Sequence, residues 1–363
     1  MNVDQITGAN IADLARGAAI LGTGGGGDPY IGQLMALEAL QTRGPVKLVP
    51  PSDLPANAQV LPVAMMGAPT VMVEKLPSVD QFVVAVEALA RYLDVEPTHV
   101  ACMEAGGVNS TIPIVAAAEM GLPLIDGDFM GRAFPELQMV TATLFGIPTT
   151  PMSITDDKGN AGLFSTVSNL WAERLARVVT VEMGAASIIS LYPMNGAQAA
   201  QAAVPGTLSL CVELGRAVRT ARADLRDPVL AVGEVLGGRA IHAGKVTDVV
   251  RRTTSGFARG EARIAGIGAY EGAVLTLNFQ NEHIIAKRGG TILATAPDLL
   301  VCLDIDTGEP VTTEGMRFGH RLAIVAAPCD DRWHTPEGIA LVGPRYFGYD
   351  TDPVRWNEVD LGR

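Results

Sequence analysis

Cysteine is scarce in this chain of 363 residues: Cys102, Cys211, Cys302 and Cys329 are scattered, with no CxxC pair. That spacing argues against a zinc knuckle or a disulfide framework and makes reduced thiols the default. The five histidines include no HExxH or HxH pair that would set two ligands on one face, so a metal site must be assembled from distant segments. No apolar run reaches the roughly 20 residues of a bilayer span. The start, MNVDQITGANIADLARG, lacks the basic region of a signal peptide, so a cytoplasmic protein is expected. Basic charge is also short. With 27 Lys and Arg against 39 Asp and Glu, the net charge of -12 repels phosphate backbones, and nucleic acid is not an expected partner.

What is present is apolar surface, 48% of residues, enough to offset the entropy of ordering a globular chain. The length points to two packed units. Residues 10–21 carry Ile11, Leu14, Ala18 and Leu21 at helical spacing, behind Asn10 as a cap. After the loop Gly22-Thr23-Gly24-Gly25-Gly26-Gly27, Asp28 as cap and Pro29 as first helical residue introduce a second helix. Its expected apolar stripe is Ile31, Leu34, Leu37 and Leu40. β-like runs at 46–49, 59–65, 99–103 and 122–125, with helical stretches at 79–93 and 110–120, predict an α/β unit with a mostly parallel sheet over residues 1–165. Residues 166–363 read as an α+β unit with a β-rich end. It has a helix at 207–223 and short strands at 273–279, 291–294 and 322–325.

In open α/β sheets ligands collect beyond the carboxyl ends of strands. Three expected strand ends carry unusual loops here, at 65–70, 104–110 and 126–132. The glycine loop formally satisfies GxGxxG, but a dinucleotide fingerprint needs a strand before it, and here a helix precedes it. A Walker loop fails too, because no Lys-Ser/Thr pair closes it and Asp28 puts negative charge where phosphate would sit. Two readings remain: a helix connection in which one glycine ends the first helix, or a backbone surface for a ligand or a developing anion.

Glu104, Asp126 and Asp128 stand at strand ends, where carboxylates hold metals or shuttle protons but also simply form turns. Asn109 and Ser110 suit either helix capping or substrate contact, and Arg132 and Glu136 suit an ion pair at a helix start. In the second unit, GRAIHAGKV offers His242 and Lys245 for proton transfer or anion binding, followed by Arg251 and Arg252, which also fit a solvated surface pair. Cys329 lies near His334 in sequence, an arrangement compatible with a thiolate and imidazole in contact, whereas Cys102 reads as a small buried hydrophobe.

The phrases GTGGGGDPY, MGAPTVMVEK, EAGGVNS, GRAFPELQM, GRAIHAGKV, RRTTSGFARG and TPEGIALVGPRYFGYD span most of the chain and together resemble the DUF917 family. Members of that family are described as S-methyl thiohydantoin desulfurases and are related in context to hydantoinase/oxoprolinase systems. The resemblance implies an amino-terminal and a carboxy-terminal domain and a hydrolase acting on a five-membered cyclic amide or thioamide.

From the residue chemistry, the expected catalytic groups are Glu104, Asp126, Asp128 and His242. The expected substrate contacts are Gly24, Gly25, Gly26, Gly27, Gly106, Gly107, Asn109, Arg132 and Lys245. Water activation by a carboxylate or by a divalent metal such as zinc, with loop N–H groups on the tetrahedral anion, is the leading mechanism. The alternatives are a non-catalytic ligand-binding subunit of a hydantoinase-like partner and a nucleotide-dependent enzyme. A homo-oligomer is expected.

Overall fold

A computed structural model describes residues 3–67, 78–254 and 257–358, with the backbone alone at 253 and 254. The later part of the 65–70 loop, most of MGAPTVMVEK, and Ser255-Gly256 of RRTTSGFARG lie outside the described residues. The first part of the chain runs β1 (Gln5–Ile6), α1 (Ile11–Leu21), α2 (Tyr30–Arg43), β2 (Val46–Val49), β3 (Gln59–Gly67), α3 (Val79–Leu93), β4 (His99–Cys102), α4 (Ile112–Met120), β5 (Leu124–Ile125) and β6 (Gly127–Asp128). It continues with α5 (Thr141–Leu144), β7 (Met152–Thr155), β8 (Ala161–Phe164), α6 (Asn169–Glu182), β9 (Ala186–Ser190), β10 (Met194–Asn195), α7 (Gly196–Ala202) and β11 (Val204–Pro205). Then follow α8 (Thr207–Ala223), α9 (Pro228–Leu236), β12 (Arg239–Thr254), β13 (Phe257–Gly266), β14 (Val274–Gln280), β15 (Glu282–Arg288), β16 (Thr291–Thr295), β17 (Leu299–Asp304), β18 (Arg321–Ala327) and α10 (Pro336–Val342).

Among the described residues the first sheet has nine strands, in the order β1-β2-β5-β4-β3-β9-β7-β8, with β10 paired to the start of β3. Its centre, β2-β5-β4-β3, is parallel, and strands antiparallel to their neighbours extend it on both sides. β3 and β4 are near-continuous buried runs, as strands covered on both faces must be. The sheet continues past residue 165, because β9 fills the place between β3 and β7. The second sheet is antiparallel, seven strands in the order β16-β15-β14-β13-β12-β18-β17. Helices α1, α8 and α9 share one apolar core with β3, β4, β17 and β18, so the two sheets are joined through a common helical layer. No helix among the described residues is long and apolar enough to cross a membrane.

Local expectations differ from the structure in three places. Asn10 does not cap α1; its Oδ1 accepts from Thr7 N and its Nδ2 donates to Gln5 O, tying the helix start to β1. Pro29 is the cap residue of α2 rather than its first helical residue, while Asp28 Oδ1 accepts from Tyr30 N at 2.9 Å. The buried stripe of α2 is Gly32, Ala36, Ala39 and Leu40, and Leu34 faces outward. Small residues win because α2 lies directly on the turn after β4: a Cβ at Gly32 would stand 2.1 Å from Thr111 Oγ1.

The α1–α8 crossing shows the same logic more strongly. A Cβ at Gly17 would meet Cys211 O at 1.8 Å, and one at Gly215 would meet Asp13 O at 1.9 Å, so two backbones touch through paired glycines. Neither contact can relax by turning a side chain. Gly215→Ala is therefore expected to cost about 3 kcal/mol or more in a urea melt, at the upper end for overpacked cores. A loss below about 1 kcal/mol would show that the helices can separate cheaply.

Candidate functional site

The glycine loop between α1 and α2 packs at the carboxyl ends of β3 and β4, against the start of β15 and the 313–314 turn. Its glycines are required by close neighbours. Gly24, Gly26 and Gly27 have φ of 93°, 72° and 71°, which disfavours any residue with a Cβ. A Cβ at Gly25 would sit 2.0 Å from Glu282 Oε1, and one at Gly107 would sit 2.0 Å from Gly26 O. Val108 N donates to Gly26 O, Thr313 N and Oγ1 donate to Gly24 O, and His283 N donates to Thr23 O. The loop is thus a fixed surface sewn to both halves of the chain. Among the described residues, the N–H groups of Gly24, Gly26 and Gly27 have no internal acceptor. The setting is helix-loop-helix, as expected, and lacks the preceding strand of a dinucleotide site.

Two carboxyls face this loop. Glu104, two residues beyond β4, and Glu282, first in β15, are both buried, and among the described residues Glu104 Oε1 and Glu282 Oε2 have no hydrogen-bond partner. Burial, and then the charge of Glu282, push the Glu104 carboxyl well above its ordinary value, against a hydrogen bond from Asn109. Burial pushes Glu282 up to about 8, while the nearby Arg132 guanidinium favours its ionised form. The charge of Glu282 thus adds to burial in favouring the protonated form of Glu104, whereas Arg132 partly offsets the burial of Glu282. Asn109 holds the arrangement: its Oδ1 accepts from Met65 N at 2.7 Å and its Nδ2 reaches Met65 O and Glu104 Oε2 at 3.3 and 3.4 Å. It bridges β3 to Glu104 and does not cap α4.

The loop and the two carboxyls line a cavity with about 890 Å³ of empty space, its open mouth included. Met65, Met66, Met103, Met130, Phe134 and Leu191 form the soft, apolar part of its wall. Arg177, from α6, also lines it but is committed to Glu173 and to Pro135 O, with its guanidinium over Phe257. Glu136, Asn281 and Glu314 add polar groups to the lining, and an apolar surface facing convergent polar groups is a usual form of a small-molecule site.

Family models cover nearly the whole chain: an S-Me-THD-like N-terminal domain matches residues 9–166 and an S-Me-THD-like C-terminal domain matches residues 167–355. The chain belongs to the S-Me-THD-like family. This is the DUF917 family that the sequence phrases resemble. A solved structure of a Chromobacterium violaceum protein is similar to the S-Me-THD-like chain with a TM-score of 0.78 and 21% identity, covering 97% of this chain and 100% of the other. At that identity the likeness concerns the fold. No match is found among curated proteins.

The other expected site residues of the S-Me-THD-like chain lie outside the cavity. Asp126 accepts from Ser209 N at 3.0 Å and Ser209 Oγ at 2.6 Å, acting as an anchor for the first turn of α8. Asp128 accepts from Ala105 N at 2.8 Å and from Gly131 N, beneath the cavity floor, and burial raises it to about 7. Arg132 is fully buried and spends its donors on Ala133 O, Pro297 O, Asp298 O, Thr23 Oγ1 and His283 O, so it fixes the loop rather than a substrate. It forms no pair with Glu136, which accepts from Gln138 and Tyr346. His242 is buried in the antiparallel sheet, with Nε2 3.0 Å from Ile264 O and its pKa lowered by burial; Lys245 lies over Phe318. Neither lines the cavity.

Asp126→Ala is accordingly expected to cost about 1–2 kcal/mol in chemical denaturation, the range for losing a helix-end acceptor. Turnover per folded molecule should stay unchanged, and a large loss of turnover would return Asp126 to the chemistry.

Sequence reasoning missed Glu282. The only cue was a polar step, Gln280-Asn281-Glu282-His283, between the apolar runs ending in Phe279 and beginning at Ile284.

Proposed function

We propose that the chain hydrolyses a five-membered thiohydantoin-type ring at C2, with S-methylated thiohydantoin as the type substrate. One observation carries this reading: two desolvated carboxyls, each with an oxygen unpartnered among the described residues, face a glycine loop in which the N–H groups of Gly24, Gly26 and Gly27 have no acceptor among those residues. The family, S-Me-THD-like, supports the substrate class.

Glu282 is the base in this scheme, because Arg132 favours its charge, and Glu104 is the acid, because only the neutral Asn109 amide opposes its protonation. Glu282 takes a proton from water as the water oxygen bonds to C2. The charge that develops on the ring is met by the N–H groups of Gly26 and Gly27. The C2–S bond then breaks, Glu104 gives its proton to the departing methanethiolate, the remaining water proton ends on the ring nitrogen, and the proton held by Glu282 returns to Glu104 through solvent, which restores both groups. Water and the S-methyl ring become the 2-oxo ring and methanethiol. The methionine wall suits a thioether group, since thioether sulfurs are polarisable and adapt to irregular apolar surfaces.

The test is incubation of the purified full chain with S-methylthiohydantoin, following methanethiol with a thiol reagent and the 2-oxo ring by mass spectrometry. Equimolar release supports the reading. Saturable binding without either product would favour a ligand-binding subunit instead.

A further inference from the structure

Three groups that the proposed chemistry does not use come together on the far side of Arg132. Asp298 lies in the turn between β16 and β17, Cys329 lies two residues beyond β18, and His334 ends the short 3-10 turn Asp331–His334. One carboxylate oxygen, the thiol sulfur and one imidazole nitrogen lie within 4.8 Å of one another. We infer that Asp298, Cys329 and His334 form a site for one zinc ion, separate from the cavity.

The donor set selects the ion. A thiolate and an imidazole disfavour magnesium and calcium, which take hard oxygen ligands, and suit a borderline cation in tetrahedral geometry. Metal–ligand bonds of about 2.0–2.3 Å place tetrahedral ligand atoms roughly 3.2–3.8 Å apart, so the groups reach zinc by shifts of about 1 Å or less. His334 Nε2 stands 2.8 Å from Asp298 Oδ1, a hydrogen bond that opens slightly as the ion enters.

The supporting groups are in place. Trp356 N donates to Asp298 Oδ2 at 2.9 Å, which orients the carboxylate and leaves Oδ1 toward His334. Arg132 Nη1 donates to Asp298 O and Pro297 O at 2.8 and 2.7 Å, holding the turn. Such outer contacts fix the ligands of metal sites. Cys329 also borders a surface crevice with Gly131, Thr207, Pro328 and Asp330, which provides an entry path and room for water as a fourth ligand.

A Cys–His nucleophile pair is the competing use of these residues, but the geometry opposes it. His334 Nε2 is directed at Asp298, and the Cys329 thiol bonds to Asp298 and to Asp330 O instead of to the imidazole. When zinc enters, the thiol loses its proton to solvent and the imidazole proton moves from Nε2 to Nδ1, freeing Nε2. The ion then clips the turn before β17 to the segment after β18, and through Arg132, which also donates to Thr23 Oγ1, it braces the glycine loop.

The test uses the full chain stripped with a chelator and titrated with cobalt(II), then zinc. The expected result is one equivalent of cobalt with a thiolate-to-cobalt charge-transfer band, its displacement by zinc, and a higher melting temperature with zinc but not with magnesium. Cys329→Ser should lose the band and His334→Gln should lose the zinc shift, while Glu104→Gln should keep both, which places the ion outside the cavity. The inference is overturned if the wild-type chain binds no cobalt, if Cys329→Ser retains the band, or if Glu104→Gln abolishes it. None of these readouts uses turnover, so they stand apart from the proposed ring hydrolysis.

Discussion

Glu282→Gln is expected to cut turnover of an S-methylated thiohydantoin by about 10²–10⁴-fold, the usual worth of a positioned acid or base. The same change should raise the melting temperature above pH 8. The stability gain follows from the direction of the shift. The Glu282 carboxyl moves from the ordinary 4.5 to about 8 in the folded chain. Between those pH values the folded chain holds a proton that the unfolded chain releases, so stability falls as pH rises through the window and levels off above it. The penalty is on the order of a few kcal/mol. Glutamine has the shape of the protonated acid and carries no charge to desolvate, so the substitution removes the penalty. Melting curves should coincide near pH 4.5 and separate by pH 8.5, with the variant melting higher. Turnover at the wild-type rate, or a lower melting temperature at pH 8.5, would contradict the role given to Glu282. Stability lost in exchange for a reactive arrangement is the pattern expected of a functional site.

Local periodicity made the elements of the first sheet legible. The strands at 46–49 and 59–65 and the helix at 79–93 appear where apolar spacing places them, and α8 matches its expected span. The α2 stripe was misplaced because Leu34 and Leu37 outweigh Gly32 and Ala36 in any hydrophobic count, while close packing on Thr111 demands the small residues. The long β12–β13 hairpin was missed because the irregularity between Val246 and Asp248 breaks the period-2 alternation of GKVTDVVRRTT, although its partners supply the ladder. At the site, the glycine loop, Glu104 and Asn109 could be found because unusual residues cluster at strand ends. Glu282 could not, since its approach to Gly25 depends on how the second sheet docks on the first. Asp126, Asp128 and Arg132 had the right chemistry in the right neighbourhood, but backbone groups consume it, and only coordinates distinguish a carboxylate that anchors a turn from one that faces a cavity.

Gly25→Ala carries the second large effect, and it separates two reasons for a glycine. Gly24, Gly26 and Gly27 adopt φ values that any side chain resists, so replacing them mixes backbone strain with altered contacts. Gly25 is not among the positive-φ residues, so alanine meets no such strain there. What it meets is Glu282, whose Oε1 would lie 2.0 Å from the new methyl and whose Cδ would lie 2.5 Å away. The methyl also meets Glu282 Cγ at 2.7 Å, so the whole buried side chain must turn away, and the fold should survive with a loss of about 1–3 kcal/mol. The base would then leave the position from which it reaches water. A misplacement of about 1 Å can cost 10²-fold in rate. Turnover is therefore expected to fall about 10²–10³-fold. The fall should appear mainly in kcat, with substrate still held by the methionine wall. The double variant Gly25→Ala/Glu282→Gln gives the decisive comparison: if alanine acts only through Glu282, it should lose little more than Glu282→Gln alone. Fully multiplied losses would mean that Gly25 acts on the substrate independently, through its own backbone.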